Sequence, residues 1–290
     1  MFKDAIAAHA RRAPDAEAII TPTQTVSYAV LDRSIDALCR RFETLEAPPD
    51  AVIGVWIREP VTYWAAVVAL DRLGLVNFTF FEAPLDIQAA RVVRPWRVLT
   101  DRAERPPGDH FVFVPPDWLD EDAPAAPPRR RSPDDPTRVL LSSGTTGRPK
   151  QIVRSTRMLW ERAQELADND LPSAARALCL FRPYTGLGST VPLAAFIKGA
   201  AVLSNERLNW DPGLWTLRPN FIALPPVLLR NLLLTLPDRH RPDPGLKVVV
   251  GGALTPRQLQ RATLERLTPN LSVRYGASEV GMVAQSAAVS

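Results

Sequence analysis

The stretch Val-Leu-Leu-Ser-Ser-Gly-Thr-Thr-Gly-Arg-Pro-Lys-Gln-Ile-Val-Arg, residues 139–154, carries the strongest signal in this chain. Two apolar, strand-like runs flank a loop of small hydroxyl residues and glycines that ends in Lys150. Such a loop can direct backbone N–H groups, hydroxyls and one ammonium at a single point, which is how proteins bind a polyphosphate. The spacing is not that of a Walker loop, and a strand-like run follows where that motif opens a helix. A surface hairpin rich in serine, threonine and glycine stays open as the alternative.

Lysine is rare in this chain, and its rarity makes Lys150 informative. The 35 basic residues include only four lysines, Lys3, Lys150, Lys198 and Lys247. Arginine is used almost everywhere else, whereas the loop ends in a compact ammonium on a flexible stem, which suits phosphate as a point charge. We therefore expect Lys150 to contact phosphate.

The composition is that of a globular protein and excludes several classes. The chain has 290 residues, 46% hydrophobic and 23% charged, enough for one large domain or two ordinary ones. A net charge of +4 is too small to indicate nucleic-acid binding. The sequence shows no signal peptide and no apolar run that could span a membrane. Cys39 and Cys179 lie in apolar surroundings typical of buried thiols in a reducing compartment, so we expect a cytoplasmic location.

Apolar runs bounded by glycine and proline alternate with helical patterns along the chain. A helix is predicted over 28–45 behind a Ser27 cap, and a strand–helix–strand unit over 51–81 with its helix beginning at Pro60. Further strands are predicted over 110–114, 177–181, 200–204, 221–224, 246–250 and, as the last clear one, 271–275. Further helices are predicted over 158–167, 190–198, 226–236 and, behind a Thr255 capping box, up to Leu267.

This alternation predicts an α/β fold with two stacked, mostly parallel sheets and flanking helices. We divide the chain into a subdomain over 1–137, the phosphate loop and a connection over 138–169, and a second subdomain over 170–290. The segment 102–137 is rich in proline and charge, so it is predicted to be mostly connection.

Two further loops follow predicted strands in the second subdomain. The first contains Gly251 and Gly252, and two glycines let a flat base lie against the backbone. A tight strand–helix turn is the alternative there. The second runs from Tyr275 to Glu279, and its aromatic ring, hydroxyl and carboxylate can stack adenine and hold phosphate and Mg²⁺.

The three motifs are Ser-Gly-Thr-Thr-Gly-x-Pro-Lys, Gly-Gly-Ala and Tyr-Gly-x-Ser-Glu, in that order along the chain. Their order resembles that of the adenylate-forming (AMP-binding) enzymes, which include acyl-CoA synthetases, aryl and fatty-acyl ligases, and adenylation domains of peptide synthetases. The resemblance covers nearly the whole chain, since residues 27–100 also look like that family's first subdomain.

The resemblance implies ATP and Mg²⁺ as cofactors and assigns roles to individual residues. The implied phosphate-binding residues are Ser142, Ser143, Gly144, Thr145, Thr146, Gly147, Lys150 and Ser278. The implied adenine-binding residues are Gly251, Gly252, Ala253, Tyr275 and Gly276. Glu279 is implied as the metal ligand, and Lys150, Ser278 and Glu279 are implied as the catalytic groups.

The sequence departs from the family pattern at a few positions. Ser278 replaces the usual threonine, Gln151 stands where glycine is common, and Val273 stands where many members carry asparagine. Family members also continue with a ribose-binding aspartate, a hinge and a small lid that bears a lysine. We therefore expect residues 1–290 to be an incomplete N-terminal domain, truncated and insufficient for turnover alone, with a separate lid fragment as a partner.

The segment 181–190 is implied to line the acyl pocket, with Tyr184 as the gating aromatic residue and Gly186 and Gly188 beside the substrate. Between Leu171 and Asn205 the sequence has no acidic residue. A buried α-ammonium without a carboxylate partner would be costly, so an aromatic or fatty acid is favoured over an amino acid.

The resulting hypothesis is an AMP-forming acid–thiol ligase. It would activate a small-molecule carboxylic acid as an acyl adenylate and transfer it to coenzyme A or to the phosphopantetheine thiol of an acyl carrier protein. A non-catalytic nucleotide-binding module and one half of a split ligase remain as alternatives. A dehydrogenase is not supported, because Gly186 and Gly188 do not form the dinucleotide fingerprint.

Overall fold

A computed structural model describes the chain except for residues 82–86, 105–109, 122–131, 143–149, 205–207, 238, 278–280 and 288–290. The helices are α1 (Phe2–Arg12), α2 (Tyr28–Glu43), α3 (Pro60–Arg72), α4 (Ile87–Val93), α5 (Thr156–Asn169), α6 (Gly186–Lys198), α7 (Pro226–Thr235) and α8 (Arg257–Arg266). Short 3₁₀ helices cover Pro116–Leu119 and Pro212–Leu217.

The strands of the first half are β1 (Glu17–Ile20), β2 (Thr25–Ser27), β3 (Val52–Trp56), β4 (Val76–Thr79), β5 (Arg97–Thr100), β6 (Phe111–Phe113), β7 (Pro136–Ser142) and β8 (Lys150–Ser155). Those of the second half are β9 (Arg176–Cys179), β10 (Ala201–Leu203), β11 (Phe221–Leu224), β12 (Lys247–Val250), β13 (Asn270–Ala277) and β14 (Gly281–Ala287).

The strands form two sheets, both mostly parallel. The larger has eight strands in the order β14-β13-β12-β11-β9-β10-β1-β2, and the smaller has six in the order β6-β5-β3-β4-β7-β8. Among the described strands, the antiparallel pairs are β1–β2, β13–β14 and β7–β8. The predicted α/β class with two mostly parallel sheets is confirmed.

One apolar core joins the two sheets. It contains side chains of α1, α2, α3 and α6 together with strands of both sheets. Tyr28 is fully buried within it, and its hydroxyl donates a hydrogen bond to the carbonyl of Ala200 at 2.8 Å. A second core lies on the opposite face of the larger sheet, under α7 and α8. Each face of the larger sheet is therefore covered, as expected for parallel strands.

Local sequence explains where several helices begin. The Ser27 hydroxyl accepts a hydrogen bond from the Val30 N–H, so the predicted cap of α2 is confirmed. Glu59 caps α3, and Pro60 occupies its first turn, where a missing N–H costs nothing. The Ser155 hydroxyl caps α5 in the same way.

Three local predictions were wrong. The Thr255 capping box does not form, because α8 begins at Arg257 with Pro256 as its N-cap residue. Helix α6 begins at Gly186 rather than Thr190, since the Thr185 hydroxyl caps it four residues earlier than predicted. The last strand is β14 rather than β13, and it pairs with β13 in the antiparallel direction.

The division of the chain at residues 137 and 169 does not coincide with the boundary between the sheets. The hairpin β1–β2 lies in the first subdomain by sequence, yet it extends the larger sheet, with Ile19 of β1 opposite Val202 of β10. Long-range parallel pairing of this kind leaves no mark on local sequence patterns, so the sequence does not show which sheet the hairpin joins.

An ion cluster ties the end of α5 to two strands of the larger sheet. The Asp170 carboxylate accepts hydrogen bonds from Lys247 at 2.7 Å and from Arg274. Burial favours the neutral form of Asp170, but the Lys247 hydrogen bond and the Arg274 charge outweigh it, so the pKa of Asp170 lies below its usual value.

At neutral pH we expect Asp170→Asn to lower the free energy of unfolding by about 3 kcal/mol, because the two cations lose their buried counter-charge. The folded pKa lies below the unfolded one, so the stabilisation is complete above about pH 5 and is lost as the pH falls through the folded value. Urea unfolding of the parent and of the Asp170→Asn variant at pH 7 and pH 3 measures the difference in their free energies of unfolding. This difference should be smaller at pH 3 than at pH 7.

Asp134→Asn is the matched control, because Asp134 pairs with Arg157 at 2.7 Å but both side chains are largely exposed. It should have a much smaller effect, since exposed pairs contribute little. An Asp170→Asn deficit that is the same at both pH values would contradict the linkage.

Candidate nucleotide and acyl site

Two of the predicted loops meet at the carboxyl edge of the larger sheet. Strands β12 and β13 are parallel neighbours with Val250 opposite Val273, so the glycine turn after β12 lies beside the end of β13. A Cβ atom placed on Gly251 would lie 3.0 Å from the Arg274 carbonyl oxygen. The turn and Tyr275 therefore lie at the same edge of the sheet, where α/β proteins bind their ligands.

Glycine is required in this turn for two different reasons. Gly251 is buried against the Arg274 backbone, and a side chain at this position would push the Arg274 carbonyl aside. Gly252 has φ +79°, a left-handed conformation that costs other residues about 1 kcal/mol or more, and its Cβ position is 3.3 Å from the Phe181 ring. The next residue, Ala253, is exposed.

Tyr275 offers its ring to solvent at this edge, with 72% of the residue exposed. It lies opposite Ala284 of β14, and the ladder shifts register between Tyr275 and Gly276, which is also exposed. An exposed aromatic ring beside a glycine turn can cover a flat ligand. The predicted phosphate and metal residues Ser278 and Glu279 lie outside the described residues.

The phosphate loop closes the hairpin β7–β8, where Ser142 is paired with Lys150. Strand β7 runs parallel to β4, so the loop leaves the smaller sheet at its carboxyl edge. The loop residues Ser143, Gly144, Thr145, Thr146 and Gly147, and the Ser142 side chain, lie outside the described residues.

Lys150 differs from the other three lysines. Lys3 pairs with Asp32 and Asp36, Lys198 donates to the carbonyls of Ala167 and Leu171, and Lys247 pairs with Asp170. Among the residues that the structure describes, Lys150 has no such partner, and it is exposed. Its ammonium is available to an anion at the edge of the smaller sheet.

The predicted acyl segment folds into the first turn of α6 and the loop before it. Gly188 has no room for a side chain, because a Cβ there would lie 1.9 Å from the Arg182 carbonyl oxygen. Gly186, by contrast, faces open space within the described part of the chain. The Tyr184 hydroxyl accepts a hydrogen bond from Arg182 at 2.7 Å, and its ring packs against the apolar cluster of the smaller sheet.

A narrow cleft separates the carboxyl edges of the two sheets. Thr79 and Phe81 line it from the smaller sheet, and Phe181 and Gly188 line it from the larger. A Cβ atom on Gly252 would lie 3.3 Å from the ring of Phe181, which lines the cleft, whereas Gly251, Gly252, Ala253, Tyr275 and Lys150 do not line it. Tyr63 of α3 lines the cleft as well, and nothing in its local sequence pointed to a site.

The chemistry of the described residues excludes two other kinds of site. Burial raises the pKa of the Cys179 thiol to about 12, so it is not a nucleophile at neutral pH. No group of three or more histidine, cysteine, aspartate or glutamate side chains within the described ranges could hold a metal ion. No helix in the described part of the chain is long and apolar enough to cross a membrane.

The fold is α/β, and the candidate ligand site lies where the carboxyl edges of its two sheets converge. The sequence profile of the AMP-binding enzyme family matches residues 6–289. The chain belongs to this family.

Curated relatives are distant and much longer than this chain. Chondramide synthase cmdD of Chondromyces crocatus is 24% identical over 218 residues, which cover 67% of this chain and 5% of that protein. Malformin synthetase mlfA of Aspergillus homomorphus is 25% identical over 313 residues, covering 99% of this chain and 6% of that protein. The chain thus spans about a twentieth of each.

Solved structures share the fold. o-Succinylbenzoate CoA synthetase (MenE) of Bacillus subtilis, in complex with ATP and magnesium ion, superposes with a TM-score of 0.81 at 17% identity, covering 98% of this chain and 62% of that chain. The N-terminal subdomain of Klebsiella oxytoca NpsA, in complex with 3-hydroxybenzoyl-AMSN, superposes with a TM-score of 0.80 at 16% identity. The match covers 99% of this chain and 77% of that chain.

Gly188 and Gly186 allow a matched test of this local geometry. We expect Gly188→Ala to lower the free energy of unfolding by roughly 1–3 kcal/mol, because the methyl group would overlap the Arg182 carbonyl. Gly186→Ala should change it by about 0.5 kcal/mol or less, since its Cβ meets open space. Urea denaturation of the two variants measures both, and equal destabilisation would contradict the structure.

Proposed function

We propose that this chain binds ATP and serves an AMP-forming ligase that activates a carboxylic acid as its acyl adenylate. One observation carries the proposal: Gly251 lies against the Arg274 backbone, which brings the glycine turn and Tyr275 to one sheet edge. The phosphate loop begins at the carboxyl end of β7, at the same edge of the smaller sheet as the end of β4. A cleft lined by Thr79 and Phe181 lies between the carboxyl edges of the two sheets. We assign adenine to the edge of the larger sheet and polyphosphate to the edge of the smaller one.

Each motif then has a proposed part in binding. Tyr275 stacks on adenine while Gly251, Gly252 and Ala253 cover its other face, with Gly276 leaving room beside the ring. Ser142–Lys150 surround the β- and γ-phosphates, and Ser278 contacts phosphate. Glu279 holds Mg²⁺, which neutralises phosphate charge when it is bound. The ammonium of Lys150, which has no partner among the described residues, stabilises charge that develops on the phosphates.

The acid is proposed to bind beside the first turn of α6, near Tyr184, Gly186 and Gly188. Gly186 faces open space there, and the described residues of the loop and turn carry no carboxylate that could pair with an α-ammonium. An aromatic or fatty acid is therefore favoured over an amino acid. Coenzyme A or the phosphopantetheine thiol of an acyl carrier protein is the proposed acceptor.

A non-catalytic nucleotide-binding module and one half of a split ligase are the competing proposals. ATP–pyrophosphate exchange over a panel of carboxylic acids separates them. Acid-dependent exchange supports the ligase, whereas ATP binding without exchange, with or without an added lid fragment, supports the module.

We expect Lys150→Ala to weaken ATP binding about tenfold or more, because the variant removes the one lysine ammonium that is unpaired in the described part of the chain. Calorimetric titration of ATP with Mg²⁺ measures the affinity. The free energy of unfolding should change by about 0.5 kcal/mol or less, since Lys150 is exposed.

Arg33→Ala is the charge-matched control, because Arg33 is exposed on α2 and its removal lowers the net charge equally. It should leave ATP affinity unchanged. Equal affinity of the Lys150→Ala variant and the parent would remove Lys150 from the site, and absence of ATP binding by the parent would refute the proposed function.

A further inference from the structure

The cleft between the two sheets has a pair of hydroxyl groups on a mostly apolar lining. Tyr63 of α3 and Thr79 of β4 both line it, and their hydroxyl oxygens are 2.9 Å apart, at hydrogen-bond distance. One hydroxyl donates to the other, so the hydrogen of the second hydroxyl has no acceptor among the described residues. Most of the remaining lining is aromatic or aliphatic, and it includes Trp64 and Phe181.

The charge around this cleft is positive. Among the described residues that line it, Arg58 carries a charge and none is acidic. A second arginine, Arg138 of β7, lies opposite Asn77 of β4, and Asn77 shares one face of that strand with Thr79. Tyr63 is one of the two titratable groups near enough to act on the Arg138 charge. The hydroxyl pair therefore lies close to a cation that is itself outside the cleft lining.

Arg138 is a buried cation whose donors are not satisfied. It is only 3% exposed, and its Nε and Nη1 atoms have no hydrogen-bond partner among the described residues. Asp71 is the second titratable group near it, and the Oδ1 atom of Asp71 accepts hydrogen bonds from the hydroxyls of Thr137 and Thr156. Burial lowers the pKa of Arg138 from its usual value, because the charged form is poorly solvated. Buried donors without partners are costly and mark places where a ligand can supply the acceptor.

We propose that the cleft binds a carboxylate, which accepts a hydrogen bond from the Tyr63–Thr79 hydroxyl pair and offsets the charges of Arg58 and Arg138. Gly188 belongs both to this cleft and to the site proposed for the acid. The carboxylate is therefore assigned to the far end of the acid, and the preferred substrate is a dicarboxylic acid with an apolar body. Only its other carboxylate is activated. This inference rests on the proposed function and narrows its substrate class.

The competing interpretation is that buried water satisfies these donors and that Arg138 only stabilises the smaller sheet. The two roles predict different results when selectivity and stability are measured together. A buried cation whose donors lack partners destabilises the free protein, so its removal should abolish selectivity without lowering stability. Removal of a purely structural arginine should lower stability and leave selectivity unchanged.

The test uses two pairs of probes, and the members of each pair differ in a terminal carboxylate. The first pair, hexanoate and hexanol, tests the cleft without a nucleotide. The second pair consists of non-hydrolysable acyl-adenylate analogues, the sulfamoyl adenosines of hexanedioic acid and of hexanoic acid. It tests whether the bound carboxylate belongs to the acid that is activated. Calorimetry measures the affinity of the 290-residue chain for each probe.

The variants remove one group at a time. Arg138→Met removes the charge and keeps most of the side-chain length, while Tyr63→Phe and Thr79→Val remove a hydroxyl with little change of shape. Tyr28→Phe is the matched control, because it removes a buried tyrosine hydroxyl that bonds to the Ala200 carbonyl and does not line the cleft.

We expect the parent and the Tyr28→Phe variant to bind the carboxylate-bearing member of each pair about tenfold more tightly than the other member. In Arg138→Met this ratio should fall to about one, and the midpoint of urea unfolding should stay the same or rise. Tyr63→Phe and Thr79→Val should each reduce the ratio, and they provide the test if Arg138→Met does not fold.

Two results would overturn the inference: a parent that shows no preference within the analogue pair, or an Arg138→Met variant that retains the preference. Either result leaves the proposed function intact as long as the hexanoyl analogue binds. A parent that binds neither analogue but prefers hexanoate to hexanol would instead refute the proposed function and leave the carboxylate site. Failure of the parent to bind any of the probes would refute both.

Discussion

The parallel pairing of β12 with β13 is the interaction on which the rest of the site depends. Val250 lies opposite Val273, and side chains of both strands pack into the core under α7 and α8. This register alone decides that the glycine turn meets the Arg274 carbonyl and that Tyr275 emerges beside it. A one-residue slip would turn Tyr275 toward the interior and bring Arg274 to the outer face, because side chains alternate along a strand.

The same register places a cation, the side chain of Arg274, in the interior of the molecule. Arg274 reaches the interior, where its guanidinium pairs with Asp170, which also pairs with Lys247. Replacing such a cluster with apolar residues is often neutral or stabilising, whereas removing one partner alone is strongly destabilising.

The two sheets contribute unequal parts of the cleft, and the core between them sets the distance across it. Tyr28, from the helix that follows the amino-terminal hairpin, bonds to the Ala200 carbonyl beside the larger sheet, while α3 packs on the same core from the smaller one. The cleft wall formed by Tyr63 and Thr79 therefore faces Phe181 across the cleft.

The sequence by itself determined the fold class, most of the helices and strands, and the motifs at the strand ends. Those features depend on local periodicity, on caps such as Ser27, and on residues such as Pro60 that act within one turn. Only the tertiary structure decided that β1 and β2 extend the larger sheet and that the glycine turn after β12 lies against the Arg274 backbone. Both depend on strand register between residues far apart in the chain, which no local pattern encodes.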